Sequence, residues 1–103
     1  MNDNSFIAYV GDPDFHDGTV LVVCPTNDKV HVRIQGASGK IFVAEFERGR
    51  IVEANKPEGM LLYALAEFGC EPPFRNFVFA NWDEEDDSTL EIVAESLRVY
   101  PEE

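Results

Sequence analysis

The chain has 103 residues, 45% of them hydrophobic and 12% aromatic, enough apolar material for one core and too little length for two. Twenty acidic residues against eight basic ones leave a formal net charge of -12, which excludes nucleic acid and anionic membranes as natural partners because phosphate contacts need clustered lysine and arginine. No apolar run approaches the ~18 residues of a membrane span, and the start MNDNSFIAYV lacks the basic and apolar regions of a signal peptide, so a cytoplasmic protein with Cys24 and Cys70 reduced is expected.

Taken in chain order, FIAYV (6–10) reads as a short strand and GDPDFHDG as a loop. Its Asp12, Asp14, His16 and Asp17 miss the ligand spacing of a calcium loop, so a polar turn is the expected role and no metal is assigned. TVLVVC (19–24) is a β-branched run of the kind buried on both faces. KVHVRIQ (29–35) alternates, with Val30, Val32 and Ile34 on one face and Lys29, His31, Arg33 and Gln35 on the other. KIFVAEF (40–46) has apolar residues on both sides and reads as a central strand. In the turn ERGR, Gly49 is expected to take a left-handed conformation, with RIVEA (50–54) returning antiparallel to its predecessor.

Two helices are then predicted. Asn55, Pro57 and Glu58 have the spacing of a helix start, and Gly69 that of a stop, which places an almost wholly apolar helix at about 57–68. FRNFVFA resumes as a Phe-rich strand after the prolines at 72 and 73. The acidic run DEEDD precedes STLEIVAESLRVY, where Ser88 and Glu91 match a capping box and Leu90, Val93, Leu97 and Tyr100 recur at helical spacing, giving a second helix at about 89–100. The acids of the run would then favour the positive end of that helix. The resulting fold class is α+β: a mostly antiparallel sheet of five to six strands with two helices.

No catalytic machinery is legible. Serines stand at Ser5, Ser38, Ser88 and Ser96, outside any G-x-S-x-G elbow, and His31 has no cysteine or serine partner in the pattern. There is no phosphate loop or dinucleotide fingerprint, so no enzyme activity and no cofactor are expected. The features left over point to a surface. An apolar helix without a polar face is enclosed or interfacial, Trp82 is an interface anchor if exposed, and the charge is uneven, with +3 over residues 29–56 and -10 from residue 57 onward. Met60, Tyr63, Trp82, Asp83, Glu84 and Glu85 are therefore the candidate contacts for another protein or a second copy of the chain.

The order of elements resembles the PATAN domain, a bacterial signalling-associated domain of uncharacterised molecular function, over about residues 29–99. The resemblance rests on Phe46, Gly49, Ile51, Val52 and Ala54 in the hairpin, Gly59 through Phe68 as the apolar helix, Phe77 and Phe79 in the aromatic strand, and Leu90 through Leu97 in the closing helix. It implies an accessory module of bacterial signalling systems that makes protein contacts, and it brings no catalytic residues. Two other readings compete: an acidic inhibitor or nucleic-acid mimic whose C-terminal part occupies a basic cleft, and an enzyme or small-ligand sensor with a polar pocket.

Overall fold

A computed structural model describes residues 5–83 and 85–102. Among the described residues there are nine antiparallel strands: β1 (Phe6–Val10), β2 (Gly18–Pro25), β3 (Lys29–Gln35), β4 (Ile41–Glu47), β5 (Arg50–Asn55), β6 (Leu61–Phe68), β7 (Arg75–Asn81), β8 (Thr89–Ala94) and β9 (Ser96–Pro101). One 3-10 turn, Pro13–Phe15, joins β1 to β2. The fold is thus all-β, and the expected α+β class is overturned.

The strands pair in the order β5-β8-β7-β6-β2-β3-β4-β9, with β1 on β6. The path closes on itself. β4 runs into β5 through Arg48 and Gly49, β8 runs into β9 through Glu95, and the pairings Glu47↔Ser96 and Arg50↔Val93 belong to one ladder. Between them the Glu95 N–H donates to the Glu47 carbonyl at 2.9 Å. β4–β5 and β8–β9 are therefore two long bent strands side by side, and with β2, β3, β6 and β7 they form a closed barrel, which removes the unpaired edges of an open sheet. β5 does not return along β4 as expected; it continues β4 around a corner. At that corner Arg48 holds the left-handed conformation (φ +50°), in place of Gly49. Gly49 is required for a different reason, because a Cβ there would lie 2.9 Å from the Phe46 carbonyl oxygen.

Inside the barrel, Val30, Val32 and Ile34 of β3 meet Phe42, Ala44 and Phe46 of β4, Leu62 and Leu65 of β6, Phe77 and Phe79 of β7, and Leu90 and Ile92 of β8. The alternation read in 29–35 is the alternation observed. β2 is buried on one face alone: Val20 is enclosed, while Val22 and Cys24 reach solvent. Phe15 enters the core from the 3-10 turn and packs edge-on against Phe42, ring centroids 5.5 Å apart.

Both expected helices are strands, and irregularities of pairing explain the misleading pattern. In β6 the partners step from Leu62↔Asn81 to Ala64↔Ala80, leaving Tyr63 as an extra residue. This bulge turns Leu62 and Leu65 to the same inner side at a separation of three, the spacing of a helix. In 89–101 the inward residues are Leu90, Ile92 and Ala94, then Leu97 and Val99. The phase changes at Glu95, where β8 becomes β9, so an alternation broken once imitates an amphipathic helix. The apparent capping residues have other work. Asn55 Nδ2 donates to the Asp87 carbonyl at 2.9 Å, and Glu58 Oε2 accepts from the Val23 N–H at 3.0 Å. Among the described residues no helix is long and apolar enough to cross a membrane.

Candidate functional site

The outer face of β1 and β6 carries the largest group of exposed aromatic side chains. A regular strand would send Phe6 and Tyr9, three residues apart, to opposite faces. The register slips between Phe6 and Ala8, and this irregularity returns both rings to one side, 4.9 Å apart and edge-on. Tyr63 is presented by its own bulge. Its ring lies 6.1 Å from Tyr9 and 5.7 Å from Trp82. Trp82 follows β7 and is anchored by its backbone N–H, which donates to the Leu61 carbonyl at 2.8 Å. Phe6, Tyr9, Tyr63 and Trp82 are 49, 60, 36 and 48% exposed, so the rings form a strip in mutual contact with their outer surfaces in water.

His16 braces the strip from the loop after the 3-10 turn. Its Nδ1 lies 3.1 Å from the Tyr63 carbonyl oxygen; a carbonyl only accepts, so in this contact Nδ1 carries the proton. The imidazole is 5.2 Å from the Tyr63 ring and 6.0 Å from Trp82. A groove of about 280 Å³ runs between this loop and the strip, lined by Tyr9, Gly11, Asp12, His16, Tyr63 and Leu65 among others. A second, open depression is lined by Tyr63, Asn81, Trp82, Asp83 and Glu85. Tyr63 is the ridge between the two.

Gly11 shapes the first groove. It has φ +87°, and a Cβ there would lie 2.6 Å from the Phe15 ring. Gly11→Ala is expected to lower stability by about 1 to 3 kcal/mol through that clash and the backbone strain; a urea midpoint equal to that of the unsubstituted protein would contradict this geometry.

The acidic loop after Trp82 is ordered by short-range side-chain turns. Asn81 Oδ1 accepts from the Asp83 N–H and Asp83 Oδ1 from the Glu85 N–H, each at 2.9 Å, and Asp86 Oδ1 accepts from both the N–H and the hydroxyl of Ser88. These bonds hold the Asp86 carboxyl below its ordinary range. No helix follows, so the expected role of the run as a helix start is corrected. Of the sequence-derived contacts, Tyr63, Trp82, Asp83 and Glu85 come together here. Met60 does not: it is 0% exposed in the core. Glu84 lies outside the described residues. Phe6, Tyr9 and His16 were missed.

A second polar cluster covers β3, β4 and β9 on the outer face. Glu45 is 4% exposed. One carboxylate oxygen accepts from Arg98 at 3.0 Å and Tyr100 at 3.4 Å, with His31 Nε2 at 3.6 Å; the other accepts from Lys29 at 3.2 Å. The Arg98 hydrogen bond is the main reason its pKa falls from 4.5 to about 2, against the opposing effect of burial. A carboxylate held ionised this firmly is a poor proton shuttle near neutrality and a good tie between strands. Glu67 and Arg75 form a two-pronged pair at 2.8 and 2.9 Å, which likewise lowers the Glu67 pKa.

In the 12–17 loop, Asp12 caps the 3-10 turn, and Asp14 accepts from the Ser38 N–H and hydroxyl at 3.1 and 2.6 Å. Among the described residues no three His, Cys, Asp or Glu side chains converge on a possible metal position. Both cysteines are free. Comparison of the chain with family models, curated proteins and solved structures gave no significant match in any of the three.

Proposed function

We propose that the protein is a non-catalytic binding module that docks another protein on the strip Phe6–Tyr9–Tyr63–Trp82. The observation that carries this reading is the continuity of four exposed aromatic rings on one face. Scattered apolar side chains on a surface need no explanation, whereas a contiguous apolar patch marks an interaction site, and tyrosine and tryptophan are the side chains that dominate interface energetics. The Glu45 and Glu67 carboxylates are engaged in ion pairs that tie strands together, which supports a structural role for them. We place the protein in the cytoplasm, where two free thiols stay reduced. The bacterial signalling setting is part of the same proposal; it rests on the PATAN-like sequence pattern at Phe46, Gly49, Ile51, Val52, Ala54, Phe77 and Phe79 alone, because the hairpin and the two helices of that resemblance are barrel strands here.

The test is quantitative capture from a native bacterial lysate with the unsubstituted protein, Tyr9→Ala, Trp82→Ala and Val52→Ala. Val52 is an exposed apolar residue on β5, away from the strip. A partner held by the unsubstituted protein and Val52→Ala is expected to fall by about tenfold or more with Tyr9→Ala and Trp82→Ala. Equal capture by all four would remove the strip as the docking site. A dimer by light scattering that Tyr9→Ala dissolves would replace the foreign partner with a second copy.

A further inference from the structure

We infer that the segment docked on the strip sets a lysine or arginine side chain on the outward face of Trp82, beside Asp83 and Glu85. This rests on the docking proposal and adds the chemistry of the partner. The ring steps of 4.9, 6.1 and 5.7 Å make a path of at most about 17 Å, which about five extended residues span. The path is chemically uneven. At the Phe6 end the neighbouring ring is Phe68, edge-on at 5.7 Å, and the surface is apolar. At the Trp82 end the same depression that exposes the indole is rimmed by Asp83 and Glu85.

An aromatic face is the negative part of the ring quadrupole and attracts a cation, tryptophan most strongly. Adjacent carboxylates add to that attraction. A run of sugars stacked along the whole strip would need its rings lying nearly coplanar. Here Tyr9 stands at 72° to Tyr63, His16 at 77° to Tyr63, and Trp82 at 35° to Tyr63, so the strip offers separate facets. The centroids are also too close for a group to enter between the rings, which leaves the outward faces as the available sites.

Six of the chain's eight lysines and arginines are engaged elsewhere; of the other two, Arg50 lines a depression on β5 and Lys56 acts on Asp86 in the acidic loop. Lys40, Arg75 and Arg98 lie over Phe42, Phe77 and Tyr100, and Lys29, Arg33, Arg48, Arg75 and Arg98 pair with carboxylates. Among the described residues none of these contacts reaches Trp82, Asp83 or Glu85. The net charge of -12 further favours encounter with a basic segment. Charge complementarity therefore identifies the occupant as a short extended stretch of protein with apolar side chains toward Phe6 and Tyr9 and a basic one at Trp82.

Two labelled peptides of equal length, Arg-Val-Thr-Val-Thr-Arg and Gln-Val-Thr-Val-Thr-Gln, separate this inference from simple apolar docking. Fluorescence anisotropy at low and high salt gives their affinities for the full chain, Trp82→Ala, and the double variant Asp83→Asn/Glu85→Gln, which keeps the indole and changes side-chain shape little. The arginine peptide is expected to bind about tenfold or more tighter, with the preference shrinking at high salt and approaching unity in both variants. Equal affinities for the two peptides would overturn the cation subsite while leaving apolar docking to the capture experiment. A preference for arginine that survives both variants, or no binding of either peptide, would also overturn it.

Discussion

Phe46→Ala lowers the unfolding free energy by about 3 to 5 kcal/mol and the melting temperature by more than about 10 °C. Phe46 is fully enclosed on β4, and its ring meets Phe77 at 5.2 Å and Phe79 at 6.0 Å. β4 and β7 are not neighbours in the sheet, so these contacts cross the barrel interior and join walls that share no hydrogen bonds with each other. Truncation removes the transfer free energy of a phenyl group and leaves a void. The wall is fixed by its ladders, with Val30↔Phe46 on one side and Phe46↔Leu97 on the other, so collapse onto the void is resisted and the cavity contribution stays near its upper range. A domain of this size has about 5 to 15 kcal/mol in total, so the loss is a large fraction of it. Phe46→Leu, which refills much of the volume, should recover more than half. Urea unfolding followed by circular dichroism decides the matter: a loss under about 1 kcal/mol for the alanine variant would mean that Phe46 does not span the barrel.

β1, β2 and β5 are legible as strands although each carries a register shift, and the alternation is plainest where a ladder runs unbroken. β3 pairs with β4 without a register shift over its whole length, Lys29↔Glu47 to Gln35↔Ile41, and its two-residue period is plain in KVHVRIQ. β6 and the 89–101 segment were illegible for the same physical reason in two forms. One bulge at Tyr63 and one change of phase at Glu95 each convert period two into an apparent period near 3.6, and capping-like residues at Asn55 and Ser88 completed the false signal. Leu61–Phe68 also contains leucine and alanine in quantity, residues that favour helices in isolation; barrel closure overrides that preference because the segment lies between β7 on one side and β1 and β2 on the other and pairs with all three.

The site followed a similar course. Tyr63 and Trp82 were singled out because they stood beside an apolar helix and an acidic run, and the bulge, rather than a helix, is what exposes Tyr63. Asp83 and Glu85 were legible as acids near Trp82. Met60 was misplaced because a helix would have given it an outer face, whereas its carbonyl accepts from the Val20 N–H at 3.0 Å in the seam between β2 and β6 and its side chain is internal. Tyr9 and Phe6 had a signal that alternation alone does not resolve: FIAYV is apolar at every position, and in a strand at the rim of a barrel one of its two faces must meet water.

The stability that Glu45 contributes should disappear in acid over a defined window. Its folded pKa of about 2 lies below the ordinary 4.5, so the folded state favours the ionised form and releases the proton more readily than the unfolded chain. The stabilisation is therefore fully present above about pH 4.5, declines as the pH falls, and is gone below about pH 2. Arg98, the first cause of the shift, is 68% exposed at its side chain, and Lys29 is 38% exposed. Solvent screening on that side of the pairs reduces the full linkage value to about 1 to 2 kcal/mol. Glu45→Gln keeps the shape, loses the charge, and should cost that amount at neutral pH. The Glu67 carboxyl is also held below its ordinary range, by Arg75, so the informative quantity is the difference between the unsubstituted protein and Glu45→Gln, measured by urea unfolding at constant ionic strength. The difference should shrink as the pH falls from about 5 toward 3. A difference that stays level through pH 3, or grows as acid is added, would mean that the Lys29–Glu45–Arg98 tie does not stabilise the barrel by holding a carboxylate ionised. Because this network joins β3, β4 and β9 on the outer surface, its loss should weaken those three strands first, and amide hydrogen exchange in 29–35, 41–47 and 96–101 should accelerate in Glu45→Gln more than exchange in 75–81.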